Sequence, residues 1–345
     1  MASDAVLPMT TRPETSIPAR SKPVWSRTAA IVWSLVLFVL ALACTVALGA
    51  WSGLTAGDAL QTLVSAPLWL VAAITGLTVL QVAFSALKWQ RVLAKTGGEQ
   101  QGVPFSFYYG CTALAAFMSQ FLTVYLASII VRGWAVKRWH GLNASHGAGT
   151  SLFEQVFDVL VLVVMALPAL IVWSLGGTLG QWAMVTVAAL IAGAACLRFV
   201  GPAIGALAVL ERFLPKMRKL VELFERSTSA GLLSQRFMFE IYALSVLRYF
   251  TLLVRAPLLI VAFGLPLAMS DIVPGFTIVQ ATQLAAITPG QLGIREWTWS
   301  GILALRGYDL QLAAHFAIDL RIIGMLAIAL AALPVVALLR RRHRP

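Results

Sequence analysis

Long apolar runs separated by short basic or uncharged connections set the pattern of this chain. Residues 29–50 form the first run, about 22 residues, enough for a helix to cross the ~30 Å core of a bilayer. A cleaved signal peptide has an apolar core of about 7–15 residues, so this run is expected to remain as a span. The connection around Asp58 has no Lys or Arg and reads as external. Residues 67–87 cross back and stop at Lys88, Arg91 and Lys95, which mark the inside. Residues 151–173 cross outward, residues 181–200 return, and residues 237–263 cross outward again. The connection 266–274 carries only Asp271 and reads as external. The final run, residues 312–339, ends in Arg340, Arg341, Arg342, His343 and Arg344, so its end is inside and its start outside.

Two runs do not fit as ordinary spans. Residues 105–131 are uncharged but flanked on both sides by basic residues, with Arg132, Lys137 and Arg138 following. Both flanks then lie inside, yet about 27 residues are too few for two crossings of about 20 each. A hairpin that dips in and returns reconciles the two constraints; a single tilted helix with one misassigned flank is the alternative. Residues 275–305, about 31 residues, must likewise leave and regain the outer side. They are read as a second hairpin, entering from outside.

Composition makes the solvent of this fold lipid. The chain is 59% hydrophobic and 12% charged with mean hydropathy +0.85, whereas soluble domains average about 25% charged residues. A β-barrel would show alternating strands of about ten residues instead of continuous runs. The expected fold is therefore an all-α polytopic membrane protein with about six full spans plus two re-entrant helical hairpins, eight apolar segments in all. Residues 28–340 make one transmembrane domain, whose halves 28–175 and 176–340 repeat the same plan in opposite orientation, an inverted repeat. Residues 1–27, broken by Pro8, Pro13, Pro18 and Pro23, read as a flexible cytoplasmic tail, and residues 341–345 as a basic one. Within residues 203–230, Leu207, Leu210, Leu214, Met217, Val221 and Phe224 form one helical stripe among basic residues. That segment is read as an amphipathic helix, lying on the inner leaflet or packed on the protein's own cytoplasmic face. The net charge of +12 follows the loops and reports topology, not nucleic acid binding. An inner (plasma) membrane location with both termini cytoplasmic follows. Cys44, Cys111 and Cys196 read as buried inert thiols, and His140, His146 and His315 do not make a metal set, so no cofactor is expected.

Against that apolar background the ionisable residues stand out. The stretch 288–297 carries Pro289, Gly290 and Gly293 beside Arg295 and Glu296. Broken backbone and charge are tolerated at membrane depth only where protein or water satisfies them, so this stretch should face an internal cavity. Asp319 and Arg321 interrupt the last run under the same constraint. Glu154 and Asp158 are four apart on one helix face, and Arg248 and Arg255 seven apart on another. Intramembrane arginines offer forked contacts to phosphate, and half-helix N-termini offer amides and a positive dipole end. An anionic head group suits both; charges that only pair with one another to hold the bundle together are the alternative.

Residues 289–296, Pro-Gly-Gln-Leu-Gly-Ile-Arg-Glu, resemble the P-G-x-L-G-x-R-E signature of the transmembrane region of lysylphosphatidylglycerol synthases. Glu154, Asp158 and the late Arg321 also fit, over about residues 88–339. Arg132 matches the Arg that follows a first family motif, P-x-x-G-E, while Ala127 and Ser128 stand where its Gly and acid are expected. The resemblance implies moving a lipid head group between leaflets, or supporting synthesis of a modified lipid or glycolipid. The apolar segments leave no soluble stretch long enough for an aminoacyl transferase domain, so synthase activity is not expected. The leading expectation is a flippase or translocase of an anionic phospholipid, polyprenyl phosphate or lipid-linked glycan. Arg295, Glu296, Arg321 and Asp319 would line its site, while Glu154 and Asp158 would gate or couple it to protons. A membrane subunit scaffolding a lipid-biosynthesis enzyme is the second reading. A transferase using Glu154 or Asp158 as base is the third.

Overall fold

The computed structural model describes Val36, Val39 and residues 42–53, 55–97, 103–139, 141, 143–199, 231–282, 284 and 288–341. All regular structure among them is helical. In chain order the helices are α1 (Leu42–Trp51), α2 (Ala56–Ser65), α3 (Leu68–Lys95), α4 (Phe105–Met118), α5 (Val124–Trp139), α6 (Ala144–Ser174) and α7 (Leu179–Cys196). They continue with α8 (Gln235–Leu253), α9 (Arg255–Phe263), α10 (Met269–Thr282), α11 (Ile294–Leu305) and α12 (Leu310–Arg341). Five helical stretches are long and apolar enough to cross a membrane: Leu68–Lys95, His146–Ser174, Leu179–Phe199, Gln235–Phe263 and Leu310–Ala332. The chain is a multi-pass helical membrane protein. Of the expected first span, 29–50, only α1 and two isolated residues are described. The segments 1–27, 203–230 and 342–345 lie outside the described residues.

Several boundaries differ from the sequence reading. The span 67–87 runs on to Lys95, because nothing in Lys88–Lys95 breaks a helix and its apolar residues Trp89, Val92 and Leu93 are buried. The connection around Asp58, read from its charge as external, contains α2, started by a capping box in which Thr55 and Asp58 satisfy each other's amides. The Thr55 amide and hydroxyl hold the Asp58 carboxyl below its ordinary range. The connection 266–274 is shorter than expected, since α10 starts at Met269 and takes Asp271 into its first turn. Cys111 is buried, but Cys44 and Cys196 are exposed, at positions where apolar side chains need no protein partner if lipid surrounds them. Exposed Val163, Leu167 and Ile171 on α6, with Val185, Val187 and Ile191 on α7, continue that apolar surface.

The two problem runs resolve into pairs of half-length helices. α4 and α5 have 14 and 16 residues, about 21 and 24 Å at 1.5 Å per residue, each short of the ~30 Å core. α10 and α11 have 14 and 12 residues and are joined through a 3₁₀ turn, Pro289–Gln291. Each pair packs on the long helix that follows it, α5 on α6 and α11 on α12. The pairs also cross over: α4 packs on α12, α10 packs on α6, and α3 and α8 pack on each other between them. α5 and α6 approach closely because Gly147 has no side chain. A Cβ there would lie 2.7 Å from the Arg132 carbonyl oxygen.

Candidate functional site

The hairpin turns meet. The Gly290 amide donates to the Leu122 carbonyl at 3.0 Å, joining the α10–α11 turn to the turn that ends α4. Gly290 has φ +60, and a Cβ there would stand 2.2 Å from the Gln120 carbonyl oxygen, so no other residue fits without moving backbone. Gln291 follows with φ +58, the one non-glycine in the left-handed region among the described residues. Such a residue stores about 1–3 kcal/mol and persists only where its surroundings fix it.

The rest of the motif fixes it. Glu296 is fully buried; its Oε2 accepts from the Gly293 amide at 2.8 Å and its Oε1 from Arg321 Nε at 2.6 Å. Arg321 then donates from both terminal nitrogens to the Gly290 carbonyl, at 2.7 and 3.2 Å. One carboxylate and one guanidinium thus satisfy the backbone groups that the broken helix frees. This corrects one expectation. At the N-terminus of α11 the Gly293 amide is taken by Glu296 and is not free for a ligand. On α5 the Thr123 hydroxyl accepts from the Leu126 amide at 3.4 Å.

A second ionic cluster lies across α3, α5, α6 and α8. Lys88, fully buried, reaches Asp158 at 2.5 Å, Glu154 at 3.5 Å and the Ser245 hydroxyl at 3.0 Å. Arg132 pairs with Glu154 at 2.5 Å and lies over the Trp89 ring at 5.1 Å; Arg248 pairs with Asp158 at 3.1 Å. Lys88 is the residue that sequence reasoning missed as a site member, since a lysine at the end of an apolar run reads as a topology marker. The signal was Glu154 and Asp158 themselves: two carboxylates on one helix face at membrane depth require a cation.

Between the clusters is a cavity of about 200 Å³. Arg132, Asp158, Arg248, Arg255, Arg295 and Arg321 line it, as do Gly290 and Gln291 of the turn. Glu154 and Glu296 stand behind this lining, holding Arg132 and Arg321. Asp319 does not line it. Two residues along a helix from Arg321 turn its side chain by about 200°, and it accepts instead from the Thr62 hydroxyl of α2 at 2.7 Å. Arg255 donates to the Gln81 side chain. Arg295 has no hydrogen bond or ion pair among the described residues. Around the cavity six cations (Lys88, Arg132, Arg248, Arg255, Arg295 and Arg321) face three carboxylates (Glu154, Asp158 and Glu296). Among the described residues the surplus is three positive charges, and Arg248 and Arg295 are each close enough to Arg255 to repel it.

A smaller space of about 90 Å³ adjoins the cavity and shares Val124, Gln155, Asp158, Arg248, Leu252, Gln280 and Gln291 with it. Its own walls are Val159, Leu162, Tyr249 and Leu284, the last 43% exposed. The charged chamber therefore continues into a cleft whose additional walls are mostly apolar. A third cluster, Arg306 with Asp271 at 3.2 Å and with the Trp173 carbonyl and ring, fastens α6, α10 and the end of α11 together away from the cavity.

No curated protein and no solved structure matches the chain significantly. The family model described as lysylphosphatidylglycerol synthase TM region matches residues 28–340. With that match covering nearly all of its 345 residues, and with the Gly290, Gly293, Arg295 and Glu296 geometry in place, the chain belongs to the lysylphosphatidylglycerol synthase TM region family.

Proposed function

We propose that the protein is a translocase that carries the head group of an anionic lipid between the leaflets of a bacterial inner membrane. It acts by binding and reorientation rather than by chemistry on the lipid. The observation that carries this reading is the surplus of three positive charges, among the described residues, around a cavity walled by the two turns, with Arg295 making no ion pair among those residues. Burying uncompensated guanidinium groups costs several kcal/mol each, and an anionic ligand removes that cost on entering. The adjoining cleft supports a lipid rather than a free anion, since acyl chains can leave past its mostly apolar walls Val159, Leu162, Tyr249 and the exposed Leu284 while the head group stays among the arginines.

The reading takes the two half-length pairs as re-entrant hairpins dipping from opposite faces, with both chain termini cytoplasmic. The reciprocal packing supports an inverted repeat: α5 on α6 corresponds to α11 on α12, α4 on α12 to α10 on α6, and α3 on α8 to itself. Lipids are the partners in this account; a scaffold for a lipid-modifying enzyme would have no need of unpaired arginine in a cavity.

The test is head-group-labelled anionic lipid in proteoliposomes, with leaflet location read by an impermeant quencher. Wild-type protein is expected to move the label. Arg295→Gln combined with Arg255→Gln, at unchanged melting temperature, is expected to lower the rate at least about tenfold, the equivalent of 1.4 kcal/mol. Equal rates in both proteins, or no movement by wild type of anionic phospholipid, polyprenyl phosphate or glycolipid, would reject the reading.

A further inference from the structure

The three carboxylates around the cavity are not equivalent. Glu154 and Glu296, 2% and 0% exposed, stand behind its lining with both oxygens taken. Arg132 and Lys88 hold Glu154, while Arg321 and the Gly293 amide hold Glu296. Asp158 is the one of the three that lines the cavity, and it lines the adjoining cleft as well. Its partner Arg248 does the same, so this ion pair stands at the junction of the two spaces. A carboxylate is an odd wall for a chamber that attracts anions, because it repels what the arginines draw in.

The pair is also unevenly fastened. Asp158 Oδ1 is 2.5 Å from Lys88, which is fully buried and has Glu154 and the Ser245 hydroxyl within reach as well. Asp158 Oδ2 meets Arg248 through one terminal nitrogen at 3.1 Å, and Arg248 Nε is shielded without an acceptor. A guanidinium is built to fork onto two oxygens, and here it is offered one. A phosphate arriving from the cleft offers several oxygens and more charge, so Arg248 gains by changing partner. Asp158 then keeps Lys88 and is not left unpaired. The exchange undoes a tie between α6 and α8, and the displaced carboxylate remains beside the phosphate to take Arg248 back.

Resting on the translocase reading, we propose that Asp158 is a built-in competitor of the lipid's anion for Arg248, which holds the arginine while the site is empty and speeds release of the head group. A transport site must bind well enough to fill and loosely enough to empty. The surplus of cations serves the first need and Asp158 the second. Asp158 acts through Arg248 and is a positioning residue. A purely structural Asp158 would predict the reverse: neutralising it would loosen the lining and weaken binding.

The experiment measures binding of phosphatidate to the full-length protein in nanodiscs, and its movement in proteoliposomes by cleavage with an external phosphatase. Asp158→Asn, nearly isosteric, is expected to bind phosphatidate about tenfold tighter, within the usual range of coupling between sites, and to lower the maximal rate by a similar factor. In an Arg248→Gln background the same substitution should change affinity by less than about twofold, because the contested arginine is gone. Should Asp158→Asn fail to fold, Asp158→Asn with Lys88→Met removes the stranded cation and is expected to tighten binding too, since Arg248 is still released. Unchanged or weaker binding, an equal gain in the Arg248→Gln background, or an undiminished maximal rate would overturn the inference while leaving anionic-lipid transport intact. Failure of the wild type to bind phosphatidate would remove the translocase reading as well.

Discussion

Gly290 is where backbone, charge and the second hairpin meet. Adding one carbon there forces a left-handed residue, at about 1–2 kcal/mol, and overpacks the Gln120 carbonyl, at about 1–3 kcal/mol. Gly290→Ala is therefore expected to lower unfolding stability by about 2–5 kcal/mol, measured by denaturant titration in detergent; an unchanged midpoint would mean that the turns are not in contact. Glu296 and Arg321 give a sharper case. Removing one partner of a buried pair strands the other, at about 3–5 kcal/mol, so Glu296→Gln and Arg321→Gln should each destabilise strongly. The double variant should fall well short of their sum, and strict additivity would show that the pair is not coupled. These residues were legible in the sequence because Gly, Arg and Glu have no inexpensive place in an apolar run unless they satisfy each other. Lys88 was not legible, because a buried lysine and an interfacial one look alike at the end of such a run.

At the scale of elements, length arithmetic against bilayer thickness separated half-length helices from full spans, and the turns at 119–123 and 289–293 fall within the two runs that failed to fit. The arithmetic had no way to find α2, which is short and lies in a connection judged only by its charge. Its start signal was nonetheless present, as Thr55 followed three residues later by Asp58. Asp319 was assigned to the cavity from its depth alone, and helical phase turned it to Thr62 instead. That bond anchors α2 on α12. Thr62→Val removes a hydrogen bond to a charged group, worth about 1.5–3 kcal/mol. Amide exchange across α2 should accelerate with little change in α3 or α6; protection of α2 equal to wild type would show that its docking does not depend on Asp319.

For the whole molecule, the account depends on two kinked elements closing a cation-rich chamber that admits head groups and leaves acyl tails outside. The charge surplus was only partly visible in the sequence, which supplied the ionisable residues but not which of them pair and which face the cavity. The most direct measurement uses two photoreactive lipids, one with a diazirine on an anionic head group and one with it at the end of an acyl chain, cross-linked to the protein in nanodiscs and mapped by mass spectrometry. The account predicts head-group adducts on peptides holding Thr112 to Arg132, Arg248 to Arg255 and Gly290 to Arg295, all reduced by Arg255→Gln, with tail adducts near Leu284 and on the exposed faces of α6 and α7. Head-group adducts confined to surface connections, with those three peptides unlabelled, would contradict it.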